Sequence, residues 1–354
     1  MTLPSSGPIS FNAINVELGQ PGTTNANINQ PSYRALAGIP TSGSTIALNN
    51  FYGKSNRVAR SFTFTTNTQN ASLNIAAISG YVAGTTDVTV TVNPGIYLWS
   101  SANTTPGLTL TGGTAGDTLT LVNNGFIMGM GGTGNISSAN ALSAGGPAIS
   151  LGYPITINNT NPAAYIGGGG GGGGATGGPK VFVGGGGGAG GGPANATAGV
   201  TPALPASPGG AIGASGSNGA IGPSAGANSF GRGGGAGGGG GTNEVASPSL
   251  PNRPSQGGGG GRIFPGTGGA GGTCGGIFPG TGGTGGSANA AGGNGVSTPA
   301  NREVAAGAGG GWGANGGTAA QGATGGVGGR AVLLNGRTVT WTSGNTTRVY
   351  GAVS

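Results

Sequence analysis

Histidine is absent from this 354-residue chain, which also contains one cysteine and only five acidic residues. Histidine and paired carboxylates carry most acid–base catalysis, and histidine and cysteine supply most zinc ligands. A single cysteine also excludes a disulfide framework within the chain. We therefore expect no catalytic residue, no metal site and no cofactor, and an enzyme is the least favoured class of function.

Charge and long apolar runs are scarce as well. Charged residues make up 5% of the chain, and the twelve basic residues that give a net charge of +7 are spread thinly. Nucleic-acid binding favours clustered basic residues, so we expect no nucleic-acid partner. No stretch of 18 apolar residues is present, and the first residues lack a basic segment followed by an apolar one. We expect neither a transmembrane segment nor a signal peptide, and synthesis in a cytoplasm.

Glycine is what the chain has in excess, and its distribution predicts the domain boundaries. Of the 91 glycines, 67 lie in residues 166–330, where Gly167–Gly174 is an unbroken run. The low charge argues against simple disorder, which usually needs many charged residues. The composition divides the chain into four predicted regions: 1–57, 58–165, 166–330 and 331–354.

Residues 58–165 have the pattern of short β-strands. Three segments, Val90–Leu98, Leu119–Ile127 and Ile155–Pro162, share one plan: an alternating strand, a corner rich in Asn, Pro or Gly, and then apolar residues. Their starts are 29 and 36 residues apart, a spacing typical of stacked solenoid coils, and corner asparagines can form ladders between coils. We predict a parallel β-solenoid stem, with a compact β-sandwich as the alternative.

Residues 166–330 are too rich in glycine for ordinary strands or helices. Their backbone N–H and C=O groups still need partners, and extended three-fold helices of the polyproline-II type can supply them by hydrogen bonding side by side. We predict a bundle of such helices joined by loops, with disorder as the alternative. The full predicted fold class is all-β plus polyglycine-II. In it, residues 331–354 form a C-terminal β-hairpin, because Asn335-Gly336 is a strong hairpin-turn signal. This hairpin would clamp the last glycine segment or pack on the solenoid.

The predicted loops carry nearly all the side chains that could recognise a partner. Aromatic and arginine residues dominate binding hot spots, and loops on a rigid scaffold often carry recognition. An alternative is that Phe264 and Phe278 only cap the ends of glycine segments. The candidate binding residues are Phe230, Arg232, Glu244, Arg253, Arg262, Phe264, Phe278, Arg302, Glu303 and Trp312. Asp87 and Asp117 could imitate a glycosidase carboxylate pair, but we expect two solvated aspartates instead.

The N-terminal region resembles a segment that recurs at the start of tailed-bacteriophage structural proteins. The resemblance lies in Gly7–Ser10, Val16–Gly19, Tyr33–Gly38 and Asn50–Ser55. It implies that residues 1–57 attach the chain to the virion. The residues expected to make that attachment are Tyr33, Arg34, Phe51, Tyr52 and Lys54.

Residues 166–330 are similar in character to the polyglycine-II domain of tail-fibre adhesins from T-even-like phages. That resemblance implies a virion tail protein whose loops bind a protein or glycan on the bacterial surface. It also implies other tail or baseplate proteins as partners, and we expect a homotrimer because fibres are commonly symmetric. Two alternatives remain open: a purely structural glycine-rich surface or fibre spacer protein, and an ice-binding glycine bundle, against which the irregular proline-rich loops argue.

Overall fold

The computed structural model describes residues 3–40, 43–132, 144–174, 176–178, 181–183, 243–244, 254–255, 291, 307, 309–318, 324–342 and 346–354. These residues fall into two compact units. One contains the described residues up to Phe62 together with Asn74–Val90 and Gly112–Thr120, and the other contains the rest.

The first unit begins with two short helices that standard capping signals delimit. Helix α1 spans Phe11–Glu17, and the side chain of Ser10 caps it by accepting a hydrogen bond from the Ala13 N–H at 3.2 Å. Helix α2 spans Pro31–Ala37; proline suits its first turn, and it ends at Gly38 in the left-handed conformation. A 3-10 turn follows at Leu48–Phe51.

These helices and the turn enclose a small apolar core. Each helix is only seven residues long, so tertiary packing rather than helix propensity must hold it. Tyr33 stands at the centre of this core, with the Phe51 ring edge-on to it at a centroid distance of 6.1 Å. The buried members are Leu3, Ile14, Tyr33, Leu36, Ala37, Ile46 and Phe51.

Eighteen strands are found in the described residues. They are β1 (Val58–Phe64), β2 (Thr68–Gln69), β3 (Ala71–Asn74), β4 (Thr86–Val92), β5 (Tyr97–Trp99), β6 (Leu108–Thr111), β7 (Thr118–Asn123), β8 (Phe126–Met128), β9 (Ile149–Leu151), β10 (Ile155–Asn158), β11 (Tyr165–Gly167), β12 (Thr176–Gly178), β13 (Val181–Val183), β14 (Asn243–Glu244), β15 (Pro254–Ser255), β16 (Val332–Leu333), β17 (Val339–Trp341) and β18 (Val349–Tyr350).

Fourteen of these strands build three sheets in the pattern of a β-solenoid. The first sheet has the order β1-β4-β7-β10-β17, the second β18-β11-β8-β5-β2 and the third β16-β9-β6-β3. Every pair in the second sheet is parallel. In the other two sheets, β10 pairs in parallel with β17, and β9 pairs in parallel with both β6 and β16. Each coil therefore gives one strand to each sheet, and the predicted parallel solenoid is confirmed over the sandwich alternative.

The repeat seen in the sequence corresponds to one sheet. Its three alternating segments contribute β4, β7 and β10, which are neighbours in the first sheet. Alternate residues of these strands are buried: Val88, Val90 and Val92 in β4, and Leu119 and Leu121 in β7.

An asparagine ladder forms at the corner that follows the first sheet. Asn123 and Asn159 are both fully buried, and the Asn123 Nδ2 donates to the Asn159 Oδ1 at 2.9 Å and to the Tyr165 carbonyl at 3.2 Å. A buried amide needs such partners, so the ladder fixes the stacking of these two coils. The expected corner ladder is confirmed here.

The prediction of a C-terminal β-hairpin is wrong. Asn335 and Gly336 do form a turn with positive φ angles, but β16 and β17 do not pair with each other. Instead β16 pairs in parallel with β9, β17 with β10, and β18 with β11. The final residues complete the solenoid, and Val353 forms a parallel bridge to Val332 in a last coil.

The glycine-rich residues enter this fold at one corner, between the second and third sheets, which we call the second corner. In successive coils this corner consists of Asn70, residues 100–107, residues 129–148 and residues 168–331. After β18 it is again short, at residues 351–352. Residues 168–331, here called the glycine-rich insertion, therefore interrupt the fourth coil and do not follow a finished stem.

Candidate functional site

The glycine-rich insertion starts as a direct extension of the second sheet. Strand β11 runs into Gly168–Gly174, and its neighbour β8 runs into Gly129–Gly132. The parallel pairing of β8 with β11 continues beyond the strands, because the Gly129 N–H donates to the Gly167 carbonyl and the Gly132 N–H to the Gly170 carbonyl. Beyond the strands, however, the hydrogen bonds between the two segments recur every three residues and not every two.

Three rows of hydrogen bonds with this three-residue spacing surround Gly167–Gly174. The first row is the one to Gly129 and Gly132. In the second, the N–H groups of Gly307, Gly310 and Gly313 donate to the carbonyls of Gly174, Gly171 and Gly168. In the third, the N–H groups of Gly326 and Gly329 donate to Gly172 and Gly169. Three successive residues of the run therefore bond to three different neighbouring segments. In a β-strand, by contrast, every second residue points to the same side.

The same run also donates at three-residue intervals. The N–H groups of Gly168, Gly171 and Gly174 donate to the carbonyls of Tyr350, Ala314 and Gly317 at 2.9 Å each. Neighbouring segments thus meet the run in both chain directions: residues 307–313 antiparallel and residues 314–317 parallel. The backbone of the run is satisfied by other backbone, without a conventional sheet.

Glycine is required at these positions by space, because neighbouring backbones lie where a side chain would begin. A Cβ added at Gly169, Gly170 or Gly171 would stand well under 3.0 Å from the carbonyl oxygen of Met130, Gly310 or Gly326, respectively. None of these glycines has a positive φ, so close approach and not backbone conformation imposes the residue type.

Two short antiparallel pairs belong to the insertion as well. Strand β12 pairs with β13, and β14 pairs with β15. The second pair places Glu244 opposite Pro254 in the backbone register. The candidate residues Phe230, Arg232, Arg253, Arg262, Phe264, Phe278, Arg302 and Glu303 lie outside the described residues.

Trp312 is placed differently from the prediction, because its side chain is fully buried. It lies in a tight turn in which the Ala314 N–H donates to the Gly311 carbonyl, and Gly313 takes a φ of 66°. A side chain with no exposed surface cannot contact a receptor in this conformation. The structure therefore places Trp312 in the interior and not among the exposed side chains of a loop.

The indole instead packs on an aromatic face of the second sheet. Four rings stack along β5, β8, β11 and β18: Tyr97 on Phe126 at 4.5 Å, Phe126 on Tyr165 at 5.6 Å, and Tyr165 on Tyr350 at 6.0 Å between centroids. The buried pair Met128 and Trp312 packs against these rings and Trp99. We call the solenoid side chains of this set, without Trp312, the aromatic face. The ring positions alternate with buried Leu98, Ile127 and Ile166, a signal that the sequence contained.

Three of the five predicted attachment residues belong to the interior of the first unit. Tyr33 and Phe51 are in its apolar core, and Arg34 is 5% exposed. Arg34 donates to the carbonyls of Pro40 and Ser44, both at 2.7 Å, and so ties together the chain after α2. These residues maintain the fold of the unit. Tyr52 and Lys54 are more accessible, with Tyr52 37% exposed.

Asp87 and Asp117 both have hydrogen-bond partners. The Asp87 side chain is still 42% exposed, whereas Asp117 is buried, so the expectation of two solvated aspartates is wrong for Asp117 only. Arg57 forms an ion pair with Asp87 at 2.6 Å, and its hydrogen bond is the main reason that the pKa of Asp87 is lowered. Burial alone would raise the pKa of Asp117, but hydrogen bonds from Tyr81 and from backbone N–H groups outweigh it and lower the pKa. The Asp87 carboxylate therefore joins β4 to Arg57, and the Asp117 carboxylate ties the turn before β7 to the start of β4.

The described part of the chain contains no cluster of three or more histidine, cysteine, aspartate or glutamate residues that could hold a metal ion. In the same residues, no helix combines the length and apolar character needed to cross a bilayer.

Comparison with known proteins gives one family and one solved structure. The family model described as phage tail fibre adhesin Gp38 matches residues 59–249, which is more than half of the chain. The structure is the gp37-gp38 adhesin tip complex of the bacteriophage S16 long tail fiber; one of its chains is 20% identical, with a TM-score of 0.45, covering 99% of this chain and 100% of that one. No curated protein matches.

The family match covers most of the solenoid strands and the first part of the glycine-rich insertion. Such adhesins are structural, non-enzymatic proteins of the phage tail, so the match confirms the prediction that the chain is not an enzyme and gives it a virion location. The chain belongs to the Gp38 family of phage tail fibre adhesins.

Proposed function

We propose that the chain binds a bacterial cell-surface receptor through loops of the glycine-rich insertion and is held on the tail fibre by its N-terminal helical unit. The observation that carries the proposal is the array of glycine segments around Gly167–Gly174, with its three rows of backbone hydrogen bonds. An array held by backbone alone leaves the intervening loops free to vary in sequence without disturbing the scaffold.

The array has the properties of a polyglycine-II bundle. A helix with three residues per turn points every third residue in the same direction, so it can bond to neighbours on three sides. The rows at Gly167 and Gly170, at Gly168, Gly171 and Gly174, and at Gly169 and Gly172 follow that rule. Neighbours running in both directions fit as well, because consecutive segments can reverse at loops. We propose that the later glycine runs of the insertion extend the same bundle.

A rigid array suits recognition for a thermodynamic reason. Ordering loops on association costs free energy, and a scaffold that already holds their ends lowers that cost. The Phe, Arg and Glu residues of the insertion, among them Arg253, Arg302 and Glu303, are the side chains we propose to contact the receptor. A protein or a glycan could present groups complementary to them.

The N-terminal unit has a surface that fits attachment to another protein. Its residues 3–40 and 43–57 combine partly exposed apolar side chains with few charges, and the family match begins after them, at residue 59. Exposed apolar groups of this kind often mark protein interfaces. We propose a tail fibre protein as the partner. Of the exposed side chains, we propose Phe11, Val16, Leu48 and Tyr52 for the attachment, together with the partly exposed Lys54.

Several copies per virion would strengthen weak individual contacts. Fibres are commonly symmetric, and we propose a homotrimer as the assembled form. Simultaneous engagement of several copies raises the overall affinity without any new contact.

Cell binding by the fluorescently labelled full-length protein tests the proposal across a panel of bacterial strains. We expect binding to a narrow subset of strains, and loss of that binding when residues 242–256 and 297–306 are replaced by Gly-Ser sequences of equal length. For the single changes Arg253→Ala and Arg302→Ala, a hot-spot loss of about 2 kcal/mol would weaken binding about thirtyfold.

The matched control is Arg337→Ala, which removes an equal charge from an exposed turn of the solenoid. It should leave binding unchanged. If the protein binds no strain, the insertion is a structural spacer and recognition belongs to another virion protein. If it binds equally well without the two loops, recognition lies elsewhere on the chain and the proposed loops are wrong.

A further inference from the structure

The turn that carries Trp312 is the place where the glycine-rich insertion meets the aromatic face. Trp312 belongs to the insertion, while Met128, Phe126 and Tyr165 belong to solenoid strands. The indole is fully buried between them. It is the only side chain of the insertion in this hydrophobic cluster, as far as the described residues go.

The backbone around the indole is shaped to receive it. The Cα of Gly167, the last residue of β11, packs directly against the indole. A Cβ added at this position would lie 3.0 Å from the Trp312 Cε3 atom. On the other side of the turn, the Gly313 N–H donates to the Gly168 carbonyl at 2.7 Å. The turn therefore lies where β11 ends and the three-residue hydrogen-bond pattern of the glycine run begins.

This turn also sets the course of two glycine segments. Residues 307–313 reach it antiparallel to Gly167–Gly174, and residues 314–317 leave it parallel to the same run. A side chain that fixes the turn therefore fixes two neighbours of the central segment. Glycine segments alone contribute no side-chain packing that could hold them against the solenoid.

We propose that Trp312 is a positioning residue for receptor recognition: its indole, seated on the aromatic face, couples the glycine-rich insertion to the solenoid and holds the recognition loops in one orientation. This role rests on the proposed receptor binding by those loops. The coupling also has a consequence that does not depend on a receptor: the solenoid and the insertion should unfold together.

The test compares full-length wild type with Trp312→Ala in thermal unfolding and in cell binding. We expect one cooperative transition for the wild type and two for Trp312→Ala. If only about a tenth of the variant molecules hold the loops in the competent orientation, apparent affinity falls about tenfold. Trp312→Phe keeps a ring on the aromatic face and should restore most of both properties.

A milder variant covers the case in which Trp312→Ala fails to fold. Gly167→Ala adds one methyl group against the indole and should shift both readouts in the same direction by a smaller amount. The proposal is overturned if Trp312→Ala lowers binding while unfolding stays in one transition, since the loss of binding would then not come from uncoupling the insertion from the solenoid. It is also overturned if the transitions separate and affinity is unchanged.

The two readouts separate the two proposals. If the wild type binds no cells, receptor recognition fails as a function, yet the unfolding comparison still decides whether Trp312 couples the insertion to the solenoid. A single transition in every variant would then reject the coupling as well.

Discussion

Replacing Gly169 by alanine is expected to destroy the glycine array. The new Cβ would stand well under 3.0 Å from the Met130 carbonyl oxygen and close to the backbone of Gly131. Backbone cannot rotate away as a side chain can, and Gly169 is tied on both sides by hydrogen bonds with Gly146 and Gly329. Because the clash must move a whole segment, we expect a loss of at least about 4 kcal/mol in the free energy of unfolding, or failure to fold.

The control for this change is Gly95→Ala, at a solenoid turn. Gly95 has a φ of 75° and open space around its Cα, so alanine there meets backbone strain without a clash. The expected cost is about 1–2 kcal/mol. Denaturant unfolding of the two variants beside wild type measures the difference. Equal, small losses at both positions would show that the close approach of glycine segments is not what holds the array.

Removal of residues 338–354 is expected to prevent the protein from folding to a soluble form. The deletion takes away β17 and β18, which leaves the edges of β10 and β11 unpaired. It also removes Tyr350 from the ring stack and the carbonyl that accepts the Gly168 N–H. Unpaired edges of apolar strands promote aggregation, so the truncated chain should appear in the insoluble fraction.

The comparison for the truncation is a Gly-Ser insertion after Gly336. This site is an exposed turn between β16 and β17, and longer surface turns cost little because closure entropy grows slowly with length. The insertion should leave solubility and the unfolding midpoint close to those of the wild type. A soluble truncated chain with the wild-type midpoint would show that the last coil is dispensable and that residues 338–354 do not stabilise the solenoid.

The sequence predicted the solenoid because its repeat is local and regular. The three segments that contain Val90, Leu121 and Ile157 carry both the alternation and the corner residues of their coils. The same local information misled at Asn335-Gly336, where a tight turn fits a hairpin and a solenoid corner equally well. Which strand pairs with which is decided by β9, β10 and β11, all more than 150 residues earlier in the chain.

The burial of aromatic residues in the candidate site was harder to predict from the sequence. Trp312 lies among glycines, and no neighbouring residue in the sequence indicates that its side chain packs against a β-sheet. Tyr33 and Phe51 were selected by motif resemblance, which identifies a segment but does not distinguish its core from its surface. Their burial depends on the packing of two seven-residue helices, whose formation is itself a tertiary effect.

Hydrogen–deuterium exchange with receptor-bearing membranes would locate recognition on the chain. The full-length protein would be mixed with outer-membrane vesicles from a strain that it binds, and with vesicles from a strain that it does not bind. We predict slower exchange with the first vesicles only, in peptides from residues 184–306 of the glycine-rich insertion, and no change in peptides from residues 58–128. Protection confined to the solenoid or to the N-terminal unit would contradict recognition through the insertion.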